Sequence, residues 1–218
     1  MIILGGGLSG LAAGIRHARF GQPTLVLEKH IRPGGLNSYY HRQGMLFETG
    51  LHAMTNFAPA GVKNLPLNRL FRQLKLSRKS FETHEQIGSE IIFPQVSLRF
   101  SNDFSELRGD ISRKFPDSAA GFDRLTELVR AYDPFQVRPW VSARRQISEF
   151  ISDQLLVDML LCPLMIYGNS QEHDMDLGQF VIMFQAVFLE GFFRPGGTMK
   201  DFLDLLLKHY QELGGEIR

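Results

Sequence analysis

An α/β fold built around a parallel sheet is predicted by three observations. First, the apolar run Ile2-Ile3-Leu4 enters the turn Gly5-Gly6-Gly7-Leu8-Ser9-Gly10, which reads G-x-G-x-x-G, and a small-residue helix leaves it. Second, Thr24-Leu25-Val26-Leu27 reads as another buried strand, ended by Glu28, which stands 18 positions after Gly10. Third, Glu216-Ile217-Arg218 reads as the opening of a further strand behind a helix. Together they describe a Rossmann-like dinucleotide-binding unit, with its sheet incomplete within this chain.

Each part of the turn has a physical task. Gly5 permits the tight turn, Gly7 lets the backbone approach a pyrophosphate, and Gly10 lets the helix pack close to the strand. The phosphates then lie at the N-terminus of the helix spanning residues 8–19, where free N–H groups and the dipole favour negative charge. The carboxylate of Glu28 suits ribose hydroxyls and repels a 2′-phosphate. The alternative is a glycine-rich strand–helix turn that holds no ligand. Gly21-Gln22-Pro23 stops the helix.

After Glu28 the chain reads Lys29-His30-Ile31-Arg32-Pro33-Gly34-Gly35-Leu36, a second glycine turn centred seven positions past the acid. A plain NAD-binding unit has no need of it, whereas a cofactor with a longer, extended body does. An ordinary surface turn is the other reading. The stretch from Tyr39 to His52 follows as a strand, a turn at Gln43-Gly44, and a second strand or loop ending at Gly50.

Leu67, Leu70, Phe71 and Leu74 fall at helical spacing among Arg69, Arg72, Lys75, Arg78 and Lys79. This is either a basic amphipathic helix for an anionic membrane surface or a solvated helix face. Residues 90–93 and 96–100 read as a hairpin around Pro94-Gln95, with Val96, Leu98 and Phe100 on a buried face. Helices are expected over 104–115 and 118–131, the second started by Asp117 or Ser118, with a break from Pro134 to Pro139. From Val141 to Phe188 the chain is mostly helical and apolar all round, so it is either buried or lines an apolar cavity. A last helix over 198–213 is started by Thr198 and ended by Gly214-Gly215.

Composition bounds the function. With 218 residues the chain suffices for one large domain or two small ones. A net charge of +1 gives no case for nucleic-acid binding. The single cysteine, Cys162, sits in an apolar run, excludes an intrachain disulfide, reads as an inert core thiol, and fits a reducing compartment. No signal-peptide pattern and no transmembrane-length apolar run is visible, so the expected location is cytoplasmic, with peripheral membrane contact as an option. Eighteen phenylalanines against one tryptophan mean either a large apolar substrate surface or a Phe-rich core. No Ser/His/Asp set, metal-ligand cluster or acid–base pair stands out, so no catalytic residue is assigned and no metal is expected.

The glycine turn, the acid followed by Lys29, Pro33-Gly34-Gly35, and then Gly44-Met45-Leu46-Phe47-Glu48-Thr49-Gly50-Leu51-His52 resemble the flavin-dependent amine oxidase superfamily. The branch most similar is that of phytoene desaturases, carotenoid isomerases and retinol saturases. Two positions depart from its pattern. Glu48 replaces the usual Asp, and Leu36 stands where the branch often has an Arg or a small residue near the flavin diphosphate. The resemblance implies a glutathione-reductase-type FAD-binding domain with an inserted, mainly helical substrate domain. It divides the chain into residues 1–65 and 194–218 for the FAD domain and 66–193 for the insert. The cofactor-binding residues it implies, with those of the two turns, are Gly5, Gly7, Leu8, Ser9, Gly10, Glu28, Lys29, Gly34, Gly35, Leu36, Gly50 and His52. His52 and Arg194 are candidates to line the flavin or substrate site. Arg194-Pro195-Gly196-Gly197 repeats the earlier tetrapeptide and lies where, in similar proteins, the substrate region returns to the cofactor.

The implied activity is that of the N-terminal portion of an FAD-dependent oxidoreductase acting on a hydrophobic, polyene or isoprenoid substrate, inactive by itself. The alternatives are an amine oxidase or protoporphyrinogen oxidase-like enzyme, an NAD-binding dehydrogenase, and a non-catalytic fragment.

Overall fold

The computed structural model describes residues 1–50, 53–166 and 171–218, and divides them into two compact units. The first unit comprises Met1–His84 and Phe193–Arg218; the second comprises Glu85–Phe192.

The first unit is built on a parallel sheet of order β1-β2-β10, from β1 (Ile2–Leu4), β2 (Leu25–Leu27) and β10 (Glu216–Ile217). Helix α1 (Leu8–Ala18) makes the crossover from β1 to β2, and α8 (Met199–Glu212) leads into β10. The strand-end expectation at Glu216 is therefore met by a parallel pairing with Leu25. Leu11, Ile15 and Ala18 of α1 and Leu203, Leu206 and Tyr210 of α8 form one buried cluster with Val26. Successive strand side chains point to opposite faces, so Ile2, Leu4 and Leu27 lie opposite this cluster and are exposed.

Tyr210 ties this layer together. Its ring is fully buried, close against Gly14 and Gly215, where a Cβ would strike it. Its hydroxyl lies 2.8 Å from the Thr24 carbonyl and 3.1 Å from the Glu216 carbonyl. Burial raises the phenol pKa above its ordinary value.

Between these elements come the antiparallel pair β3 (Tyr39–Arg42) and β4 (Met45–Glu48), then β5 (Met54–Thr55). Helix α2 (Pro66–Leu74) follows, and then β6 (Thr83–Glu85), which joins β5 and β9 (Phe192–Pro195) in the order β5-β9-β6. Phe71 and Leu74 of α2 are buried in the same cluster as α1 and α8. The first boundary falls at 84/85 rather than 65/66, and the basic helix buries Phe71 and Leu74 in the core while Leu70 is exposed.

The second unit opens with the hairpin β7 (Ser89–Ile92) and β8 (Ser97–Phe100), paired Ile91 to Leu98. Helices α3 (Phe104–Lys114), α4 (Ala119–Ala131), α5 (Ala143–Ser148), α6 (Gln154–Met165) and α7 (Leu177–Phe184) follow. Side-chain carboxylates of Asp103, Asp153 and Asp176 start α3, α6 and α7 by accepting first-turn N–H bonds. The phenylalanines fill the core. Phe184 meets Phe188 at 5.1 Å, Phe180 at 5.5 Å and Phe122 at 6.2 Å between ring centroids. These rings pack against one another in the core, whereas Phe20 and Phe135 are exposed. Cys162 corrects its expectation: it is exposed, because α6 buries Met159, Leu160 and Leu161 and turns Cys162 outward. Among the described residues no helix is long and apolar enough to cross a membrane.

Candidate functional site

The site is the paired glycine turns of the first unit. Gly5, at φ +99°, carries the chain out of β1 in a conformation that favours glycine, and its N–H donates to the Leu27 carbonyl at 2.8 Å. Gly7 takes the cap position of α1 with no side-chain cap. The first-turn amides of Leu8, Ser9 and Gly10 have no partner within the helix, as at any helix start, so they present donors and positive dipole. Gly10 has a packing reason: a Cβ there would fall on the Gly5 carbonyl oxygen. Gly7 has the opposite reason. Nothing lies closer than 3.9 Å to a Cβ built on it, so a side chain would fill open space in front of the helix.

The second turn is bonded to the first. Gly34 donates its N–H to the Gly6 carbonyl at 2.8 Å, and Gly7 and Gly34 form a parallel bridge. Gly34 and Gly35 have φ of +119° and +58°, and a Cβ on Gly35 would lie 3.4 Å from the Gly7 Cα. Two backbone segments with no side chains thus run side by side at the start of α1.

Glu28 follows β2 and is engaged by backbone. Its Oε2 accepts from Gly6 N at 2.6 Å and its Oε1 from His30 N at 2.8 Å. These bonds, His30 first and then Gly6, hold the carboxyl below its ordinary value. Each carboxylate oxygen keeps lone-pair capacity for one further donor.

Thr49 and Gly50 brace the second turn. Thr49 Oγ1 lies 2.8 Å from the Ser38 carbonyl and 3.1 Å from that of Leu36, and a Cβ on Gly50 would collide with the Leu36 carbonyl. Lys29 and Leu36 are both exposed, Leu36 at 88%. His52 lies outside the described residues. A cavity of about 410 Å³ opens beside the second turn, lined by His30, Arg32, Leu36, Tyr39, Tyr40 and Thr49. Among the described residues no group of three His, Cys, Asp or Glu side chains is placed to hold a metal.

Glu48 is the residue whose work sequence reasoning missed. Its side chain is 10% exposed; it accepts from Met199 N at 2.7 Å and pairs with Arg194 at 2.8 Å. It therefore caps α8, together with the Thr198–Asp201 capping box, and ties the second Arg-Pro-Gly-Gly to the β4 motif. The only signal available was its place in Phe47-Glu48-Thr49-Gly50; the partners are some 150 positions away in sequence.

Residues 3–74 match the family model of the NAD(P)-binding Rossmann-like domain. An oxidoreductase from Methanosarcina mazei superposes with a TM-score of 0.74 at 19% identity, over 100% of this chain and 50% of that one. The first unit is a Rossmann-like fold. In sequence, the Rossmann-like chain is similar to a lycopene-forming phytoene desaturase of Pseudescherichia vulneris, 23% identical over 99% of this chain and 48% of the relative. It is also similar to a chloroplastic prolycopene isomerase of Daucus carota, 29% identical over 55% of this chain and 19% of the relative. The chain spans about half the length of the desaturase, and its match covers about a fifth of the isomerase. These relatives belong to the branch that the motifs of residues 1–52 resemble.

Proposed function

We propose that this chain is the nucleotide-binding part of an FAD-dependent oxidoreductase whose substrate is a hydrophobic polyene or isoprenoid. The observation that carries the proposal is the bonding of the two glycine turns, Gly34 N to Gly6 O, in front of α1. A nicotinamide dinucleotide needs the first turn only. A longer cofactor body uses both, because both segments present bare backbone where it passes.

The residues fit such a group. The open space at Gly5 and Gly7 accepts a diphosphate, and the N–H groups of Leu8, Ser9 and Gly10 supply its donors. Glu28, already fixed by two backbone N–H bonds, offers its remaining lone pairs to ribose hydroxyls. With no Arg at Leu36, the diphosphate charge is met by amides and helix dipole. The flavin supplies hydride chemistry when bound; the chain binds and orients it. The substrate class rests on relatives named for phytoene, lycopene and prolycopene, long unsaturated hydrocarbons.

The test is a competition. The purified protein is loaded with FAD, and visible absorbance is followed through gel filtration with and without excess NAD. Flavin bands that co-elute with protein and survive NAD support the reading. Displacement by NAD, or NAD binding without flavin binding, replaces it with a nicotinamide site.

A further inference from the structure

We propose that the basic face formed by α1 and α2 docks a second copy of this chain, through the acidic second unit of that copy. The net charge of +1 hides a division. Met1–His84 with Phe193–Arg218 carries 15 Lys and Arg against 7 Asp and Glu, a net charge of +8. Glu85–Phe192 carries 9 against 16, a net charge of −7.

Much of the positive excess lies on one face. Residues 49–81 contain six Lys and Arg and no Asp or Glu. Arg69, Arg72 and Lys75 are exposed, as is Lys63, whose carbonyl accepts from Arg72 Nη1 at 3.4 Å. Arg19, at the end of α1, donates from Nη1 to the Gln73 carbonyl. It therefore brings α1 alongside α2, and the exposed Arg16 stands three positions before it on the same side of the helix. Among the described residues, none of these six cations forms an ion pair. The last turn of α8 meets this region through His209 Nε2, 3.0 Å from the Leu74 carbonyl. Its one acid, Glu212, pairs with Lys208 of the same helix at 3.9 Å. Like charges at Arg69 and Arg72 repel one another, and no acid of the first unit relieves them. The face is set to receive negative charge from outside the unit.

The cofactor is not that charge. The phosphate-binding turn lies at the N-terminus of α1, whereas Arg16 and Arg19 lie at its other end, about 16 Å away along a helix of 11 residues. Two facts favour a second copy as the occupant. Its second unit is a compact acidic surface of matching magnitude, with Asp117, Glu127 and Asp153 exposed on it. At a net charge of +1, moreover, copies do not repel one another at long range. A nucleic acid would meet the −7 of the second unit as well as the +8 of the first. The contact uses two different patches, so it is heterologous and joins copies head to tail. The inference is independent of the cofactor reading.

The experiment is sedimentation of the whole protein at micromolar concentration in about 20 mM and about 300 mM salt, between which the screening length shortens severalfold. The proposal predicts species heavier than the 24.8 kDa chain at low salt and their dissociation at high salt. Arg69→Gln/Arg72→Gln, checked for folding by circular dichroism, is expected to self-associate about tenfold more weakly. Arg42→Glu shifts the net charge by the same amount away from this face and is expected to associate like the parent. The double variant keeps its acidic unit, so it should still bind the parent and cap the growing assembly, which an isologous contact between two basic faces would not allow. A chain that is monomeric at low salt overturns the proposal. So does association that ignores salt, an equal loss in both variants, or a double variant that fails to bind the parent. A monomeric chain that binds poly-L-glutamate through Arg69 and Arg72 also overturns it, and assigns the face to a different acidic partner.

Discussion

At the scale of single residues, two glycines of one motif serve opposite ends. Gly10 is small because protein lies against it, and Gly7 is small because nothing does. Gly10→Ala forces its methyl onto the Gly5 carbonyl oxygen, and a loss of about 1–3 kcal/mol is expected in urea unfolding, with or without ligand. Glu28 carries the second prediction. Its folded-state pKa lies below the ordinary glutamate value, so its contribution to stability is present above that value and fades as pH falls through the folded pKa. Stability of the protein and of Glu28→Gln, compared by thermal unfolding from neutral to acid pH, should differ most at neutral pH and converge in acid. A gap that is constant with pH would mean the backbone bonds from Gly6 and His30 do not depend on the carboxylate charge. The first motif was legible because its spacing is local and its glycines are chemically distinctive. The engagement of Glu28 by its own backbone was not, because it depends on where the turn places the Gly6 and His30 amides.

At the scale of elements, α8 and α7 show what the helices rest on. Helix α8 begins on Glu48, Thr198 and Asp201 and ends with Tyr210 wedged between Gly14 and Gly215. Glu48→Ala removes the cap on Met199 N and the partner of Arg194, and about 1–2 kcal/mol of stability should go with it. Restoration of that loss by Glu48→Gln would assign it to the cap rather than to the ion pair. In the second unit, Phe184→Ala opens a hole among Phe122, Phe180 and Phe188 and should cost about 3–5 kcal/mol in equilibrium unfolding. A cost below about 1 kcal/mol would mean that these rings border a cavity already open to solvent or ligand. The start of α8 was readable from Thr198, whose side chain joins a capping box, whereas α4 begins after Ser118 with no side-chain cap bond from it. The faces of α6 and α7 were not. An apolar run hides which side meets the core, and so Cys162 is exposed within it.

At the scale of the molecule, two units divide the chain, and their boundary was the least legible feature. Residues 66–84 read as the start of an insert because a loop with Pro59, Gly61 and Pro66 precedes them. They belong with α1 and α8 because Phe71, Leu74 and Phe81 pack there, a long-range fact that no local pattern encodes. The parallel sheet was predictable from two short strands and a third. The Glu48–Met199 bond, which joins β4 to the start of α8, was beyond reach of spacing arguments. The central claim is that the open space before α1, bordered by both glycine turns, holds the diphosphate of a flavin dinucleotide. Titration of FAD into the protein and into Gly7→Val, read by flavin fluorescence, tests it most directly. A valine there meets no protein atom closer than 3.9 Å at its Cβ, so the fold should survive, with unchanged circular dichroism and unfolding midpoint, while FAD binding is lost. A folded Gly7→Val protein that binds FAD as tightly as the parent would contradict the account.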